Sequence, residues 1–280
     1  MKNYPLRLAF YGKGGIGKST VAAHISAALA QAGKRVLHIG CDPKSDSTRC
    51  LTKSRIPTVL QQLAAKEEAL TKADILYPGA FGVSCIEAGG PEPGVGCAGL
   101  GIGAMADELN RLGILDEGWD VIIYDVLGDV VCGGFAMPMR RRFIDRVFLV
   151  TSADFMSLYA ANNIMKALLR YATPEEPLLG GLILNRYKDI SDIKIAAAFA
   201  EKTNCGIIGA LKESSQLRYA DYCKETVLSL FPKRMAAGQI RALALKLWRQ
   251  EKAYCPVFME ESAMDNFHQQ IFKKAVNSID

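Results

Sequence analysis

The chain of 280 residues carries a formal net charge of +5, and half of its residues are hydrophobic. That length supports one sizeable core, and the modest, dispersed charge makes no case for a nucleic-acid or lipid partner. No stretch approaches the ~20 consecutive apolar residues that span a bilayer, and no basic-then-apolar leader precedes the first strand. The expectation is a cytoplasmic protein with a single domain over residues 1–280. Eight cysteines (41, 50, 85, 97, 132, 205, 223 and 255) are expected to be mostly reduced; with no CxxC pair and three histidines, a self-contained zinc site is not expected.

A strand is predicted over residues 6–11. It leads through Gly12-Lys13-Gly14-Gly15-Ile16-Gly17-Lys18-Ser19-Thr20 into a helix whose apolar positions Val21, Ala22, Ile25, Ala28 and Leu29 recur at helical spacing until Gly33. A glycine-rich turn between strand and helix aims backbone N–H groups at a triphosphate, Lys18 neutralises it and Ser19 holds Mg2+. These residues read as a site for ATP or ADP, and Lys13 is a second lysine within it.

The next strand, 36–39, runs into Gly40-Cys41-Asp42-Pro43-Lys44-Ser45-Asp46-Ser47-Thr48, where Asp42 at the carboxyl end of the strand can face the same phosphates. Asp46 either faces that site too or caps the following helix. Further strands are read at 83–86, 121–124, 147–150 and 182–184, with helices near 58–66, 103–112, 157–171, 193–203 and 239–250. The rhythm predicts an α/β fold: a doubly wound, mostly parallel sheet of the P-loop NTPase type with helices on both faces.

Asp125 closes the apolar strand 121–124 and suits a carboxylate that orients Mg2+ or its waters. Gly128 lets the backbone approach a phosphate, and Asp129 is either a water-positioning carboxylate or a solvated loop residue. Cys97 and Cys132 lie among small residues that let amides crowd sulfur, as around an iron–sulfur cluster; a buried free thiol is the other reading. Since a cubane takes four thiolates and each chain offers two in such a setting, a symmetric homodimer is the arrangement that would complete the set. Near the C-terminus, Met264, Phe267, Ile271 and Ala275 form a helical stripe that either packs on the body or lies on a membrane.

The motifs at 12–20 and 40–49, Gly89-Gly90-Pro91-Glu92-Pro93-Gly94-Val95-Gly96-Cys97-Ala98-Gly99 and Tyr124-Asp125-Val126-Leu127-Gly128-Asp129-Val130-Val131-Cys132-Gly133-Gly134-Phe135-Ala136-Met137-Pro138, with 159–164 and 180–185, closely resemble the nitrogenase iron protein family. The resemblance implies a homodimeric, ATP-dependent electron donor whose subunits share one 4Fe-4S cluster, with Cys97 and Cys132 of each chain as ligands. It also implies a ferredoxin or flavodoxin upstream and a catalytic component downstream. By the same matching, Lys13 is the signature lysine that reaches the nucleotide across the dimer interface, and Asp42 and Asp125 begin the two switches. Asp129 matches the water-activating position, and Asn185 resembles the adenine-contacting asparagine.

The departures are specific. Leu100 stands where nitrogenase iron proteins commonly carry an arginine on the docking surface, Arg140-Arg141-Arg142 adds charge that is either displaced docking charge or a solvated loop, and Lys212-Glu213-Ser214-Ser215 replaces a proline-led adenine loop. Leu100 and the run Arg55-Ile56-Pro57-Thr58-Val59-Leu60 pull toward the reductase of a nitrogenase-like enzyme, such as one for methylthio-alkane reduction or coenzyme F430 assembly, with nitrogenase itself as the alternative. Partitioning and membrane-positioning ATPases share the two-lysine loop and form the rival class, which needs no metal.

Overall fold

Strands built from unbroken apolar runs need cover on both faces. The computed structural model, which describes residues 5–90, 98–128 and 143–276, meets that demand with one eight-stranded sheet. In chain order its elements are β1 (Leu6–Tyr11), α1 (Lys18–Gln31), β2 (Val36–Gly40), α2 (Arg49–Thr52), α3 (Val59–Lys66), β3 (Tyr77–Pro78), β4 (Ser84–Glu87) and α4 (Ala98–Arg111). There follow β5 (Val121–Asp125), β6 (Arg146–Thr151), α5 (Phe155–Leu168), β7 (Leu179–Tyr187), α6 (Ile190–Lys202), β8 (Ile207–Lys212), α7 (Ser215–Tyr222), α8 (Val227–Leu230), α9 (Met235–Arg249) and α10 (Glu261–Val276).

The strand order is β3-β4-β2-β5-β1-β6-β7-β8, parallel throughout except where β3 meets β4. Alternate side chains of each strand feed two separate cores. Tyr11, Ile39, Ile122 and Leu149 pack with Met105 of α4, Met165 of α5 and Phe199 of α6. Phe10, Val36, Ile123 and Val150 pack with Ile25 of α1 and Leu243 of α9 on the other face. The expected doubly wound α/β sheet is therefore present, and the loops at its carboxyl edge come from β1, β2, β4, β5 and β7 together.

Differences from the sequence reading have local causes. β8 was not anticipated, because this edge strand is only half-buried and Gly209 interrupts its apolar run. Helix α4 begins at Ala98, ahead of the predicted 103, since Gly99, Gly101 and Gly103 weaken its helical signature. At α3 the predicted start, Thr58, is the cap: its hydroxyl accepts the Gln61 N–H while the Gln61 side chain accepts the Thr58 N–H.

The C-terminal stripe packs on the body. Met264 and Phe267 are buried in the core, with the Phe267 ring edge-on to Phe199 at 6.0 Å and Ile271 against the same cluster; the Ala275 side chain lies outside the described residues. Both polar ends of the Asn162 amide bond the backbone of Met259, at 2.7 and 2.8 Å, and so clip the approach to α10 onto α5. Among the described residues no helix is long and apolar enough to cross a membrane. Truncating Phe267 to alanine is expected to cost about 3–5 kcal/mol of stability, read from the urea midpoint.

Candidate functional site

The turn between β1 and α1 is held open by its glycines: Gly12, Gly15 and Gly17 have φ of 155°, 79° and 89°. No side chain caps α1 and no acidic residue lies in its first turn, so its leading N–H groups and positive dipole end are available to an anion. Beside this cradle, Asp125 at the end of β5 is fully buried and forms an ion pair with Lys18, itself 6% exposed. Burial pushes the Asp125 carboxyl up, but the Lys18 charge and hydrogen bonds from Lys18, Ser19 and Ser47 outweigh it and hold it below the usual carboxylate range.

That carboxylate anchors a buried chain of hydrogen bonds. The Ser47 hydroxyl donates to Asp125 Oδ2 at 2.5 Å, His38 Nε2 lies 2.8 Å from Ser47 Oγ, and His38 Nδ1 lies 2.8 Å from Ser26 Oγ in α1. Because the one Ser47 proton goes to Asp125, His38 Nε2 must be the donor to Ser47, and in the neutral ring Nδ1 faces the Ser26 hydroxyl, whose single proton it shares with the Ala22 carbonyl at 3.1 Å. Burial pushes the His38 pKa down to about 4, the charge of Asp125 opposing and that of Lys18 assisting. The phosphate helix, the second-strand loop and the β5 carboxylate are thus one connected unit.

Asp42 is nearly buried at the carboxyl end of β2. It accepts the Lys44 N–H at 2.9 Å, and burial raises its pKa against that hydrogen bond and the Lys18 charge. Asp46 does not cap the next helix: α2 is entered through Thr48 without a side-chain cap, and exposed Asp46 lines a hollow with Ser19, Thr20 and Ser47. Gly128 presses on the phosphate loop, for a Cβ built on it would fall 2.1 Å from the Gly12 carbonyl oxygen and 2.9 Å from the Gly14 nitrogen. Loop 125–128 and loop 12–17 are in backbone contact.

Asn185, at the end of β7, donates its amide to the Ile16 carbonyl at 2.8 Å and lines a hollow of about 320 Å3 with Gly17, Thr20, Lys212, Glu213 and Arg218. Its neighbour Arg186 donates to the Gly15 carbonyl at 3.0 Å. Lys13 is half-buried on the rim of a second, open hollow with Ser152, Asp154 and Lys188. These walls fit Mg-ATP: a dipole-bearing cradle for phosphate, Lys18 and Ser19 beside a carboxylate for the metal, and a pocket of nucleoside size flanking Gly17.

Asp129, Cys97, Cys132 and the run 140–142 lie outside the described residues, as does the Leu100 side chain. The strands that lead to the cysteines are described: β4 toward Cys97 and β5 toward Cys132 lie on either side of β2 and point the same way. Reading the sequence for function missed His38, Ser47, Arg186 and Glu87. Ser47 and Arg186 stand next to residues that were identified and Glu87 directly follows a strand that was read at 83–86, whereas His38 sits inside a strand pattern and carries no sequence signal.

Replacing Gly128 by alanine is expected to force the two loops apart and weaken Mg-ATP binding at least about tenfold in titration calorimetry. Neutral His38 contributes its full stability above about pH 6.5, and that contribution is lost as pH falls toward about 4. Buried Glu87, pushed up to about 7, has the opposite sign: its contribution is present at low pH and is lost as pH rises through about 7. His38→Gln should therefore flatten the acid-side loss between pH 6.5 and 4 in denaturant titrations across that range.

The family model described as "4Fe-4S iron sulfur cluster binding proteins, NifH/frxC family" matches residues 6–274. The nitrogenase iron protein of Methanococcus voltae is 43% identical, covering 95% of this chain and 96% of that protein. That of Methanospirillum hungatei is 49% identical over 85% of this chain and 86% of its own length. Among solved structures, the chain is similar to the MinC:MinD cell division protein complex of Aquifex aeolicus (TM-score 0.68, 20% identity, 89% of this chain and 99% of that one). It is also similar to a ParA family ATPase of Chlorobium tepidum (TM-score 0.66, 20% identity, 87% and 99%). At such identities these likenesses show the fold alone. With a family match across nearly the whole chain and relatives above 40% identity, the chain belongs to the NifH/frxC family of 4Fe-4S iron sulfur cluster binding proteins.

Proposed function

We propose that the chain is a single-domain, ATP-dependent electron-transfer reductase that works as a homodimer and delivers single electrons to the catalytic component of a nitrogenase-like enzyme. Family membership supports the reductase. The observation that carries the coupling is the contact of Gly128 with the backbone of Gly12 and Gly14, because the loop that touches the phosphate turn continues to Cys132.

In this reading the α1 N-terminus and Lys18 hold the phosphates, Ser19 ligates Mg2+, and Asp125 orients its waters. Asp42 faces the phosphates from β2, Asp129 positions the attacking water, and the Asn185 wall receives adenine. Lys13 reaches the nucleotide of the partner subunit from its open hollow. Cys97 and Cys132 of both chains would hold a 4Fe-4S cluster, which would supply one-electron chemistry between a ferredoxin or flavodoxin donor and the catalytic component. Arrival of phosphate draws Lys18 from Asp125, and the Ser47 and Gly128 contacts pass the change to both loops.

Leu100 supports a nitrogenase-like partner, since the docking arginine common in nitrogenase iron proteins is replaced by an apolar side chain. The names of the relatives favour a second reading, nitrogenase itself. Electron delivery measured with each kind of catalytic component decides between them.

Cys97→Ser is expected to abolish bound iron and the absorbance near ~400 nm that bleaches on reduction; full iron content in that variant overturns the assignment. A partitioning ATPase would show neither signal in the parent protein. Lys13→Gln is expected to keep nucleotide binding but lower hydrolysis at least ~100-fold, measured in the presence of the catalytic component. Leu100→Glu should lower electron delivery at least about tenfold with Mg-ATP binding intact.

A further inference from the structure

Glu87 closes β4 opposite Gly40 of β2 and is fully buried. A carboxyl group in such a place needs a compensating partner, and none of the ion pairs among the described residues includes it. Its Oε1 accepts both polar groups of one residue, the Thr48 N–H at 2.7 Å and the Thr48 hydroxyl at 2.8 Å. Its Oε2 has no hydrogen-bond partner among the described residues and lies against Gly40, where an added Cβ would approach it to 2.0 Å. Burial pushes the carboxyl up to about 7, the two Thr48 bonds pulling down and the charges of Asp125 and Asp46 adding to the rise.

Thr48 ends the loop that carries Asp42 and Ser47, so Glu87 holds the phosphate-facing loop by its far end. The residues after Glu87 hold it elsewhere. The Ala88 N–H donates to the Gly40 carbonyl at 2.8 Å, and the Gly90 backbone lies so flat on Pro43 that a Cβ there would sit 2.5 Å from the proline ring. Residues 87–90 are thereby fastened to both ends of loop 40–48, and the same segment runs on to Cys97.

We propose that Glu87 is a positioning residue that passes movement of the Asp42 to Thr48 loop into the segment leading to Cys97. This gives the phosphate site a second route toward the cysteines, separate from the one through Gly128 to Cys132. It rests on the reading of loop 40–48 as part of an ATP site, and the experiment separates the two.

Hydrogen–deuterium exchange of the cluster-loaded dimer, with and without a non-hydrolysable Mg-ATP analogue, reads loop 41–48 and segment 88–104 independently. In the parent protein both should respond. In Glu87→Ala the response at 41–48 should persist while that at 88–104 falls at least about twofold, and Glu87→Gln, which keeps an acceptor for Thr48, should restore it. Should Glu87→Ala fail to fold, Thr48→Val carries the test, since it removes one of the two bonds and leaves the backbone N–H. An undiminished response at 88–104 in Glu87→Ala or Thr48→Val overturns the proposal while leaving the ATP site standing. A parent protein whose 41–48 loop ignores the analogue overturns both.

Discussion

The ion pair between Lys18 and Asp125 is the constraint on which the rest of the site depends. A carboxylate with no exposure at all survives in the charged form only because a cation and hydroxyl donors surround it. Removing one partner of such a pair typically costs about 3–5 kcal/mol, so anything that competes for Lys18 must be matched by a change at Asp125. A phosphate is such a competitor. The pair is therefore a structural brace and, on the proposed function, the point at which a nucleotide is felt.

Strand order determines how far that event reaches. β4, β2, β5 and β1 are consecutive neighbours, so the carboxyl ends bearing Glu87, Gly40, Asp125 and the phosphate turn form a single row. Ser47 and His38 brace the row from within, and Ser26 roots it in the helix that receives the phosphates. Two buried carboxyls with opposite tendencies lie in it: Asp125 held down by Lys18, Glu87 pushed up by burial and by the charges of Asp125 and Asp46. The segments that continue in sequence to Cys97 and Cys132 leave from two strands of this row, β4 and β5.

Legibility in the sequence followed signal strength. The phosphate turn, β2 and β5 were readable because fully buried parallel strands are apolar at nearly every position and the glycines fall at fixed offsets. β8 was not, since an edge strand dilutes its apolar run, and the start of α4 was hidden by glycines that propensity places outside helices. Asp42 and Asp125 were singled out by motif and strand-end position, and Asn185 by the family resemblance. His38 escaped because a buried polar residue inside a strand reads as an interruption until its partners, Ser26 and Ser47, are brought beside it; Glu87, just past the strand read at 83–86, gains its meaning only from Thr48, a partner 39 residues away in the chain.

The short strand β3 has a bearing on assembly. It pairs antiparallel to β4 for two residues, the second of them Pro78, and so ends this side of the sheet with hardly any free backbone for another chain to extend. On the proposed function, in which two copies and a redox partner meet at the loop end of the sheet, this flank is guarded against the runaway side-by-side growth that an open parallel edge would invite.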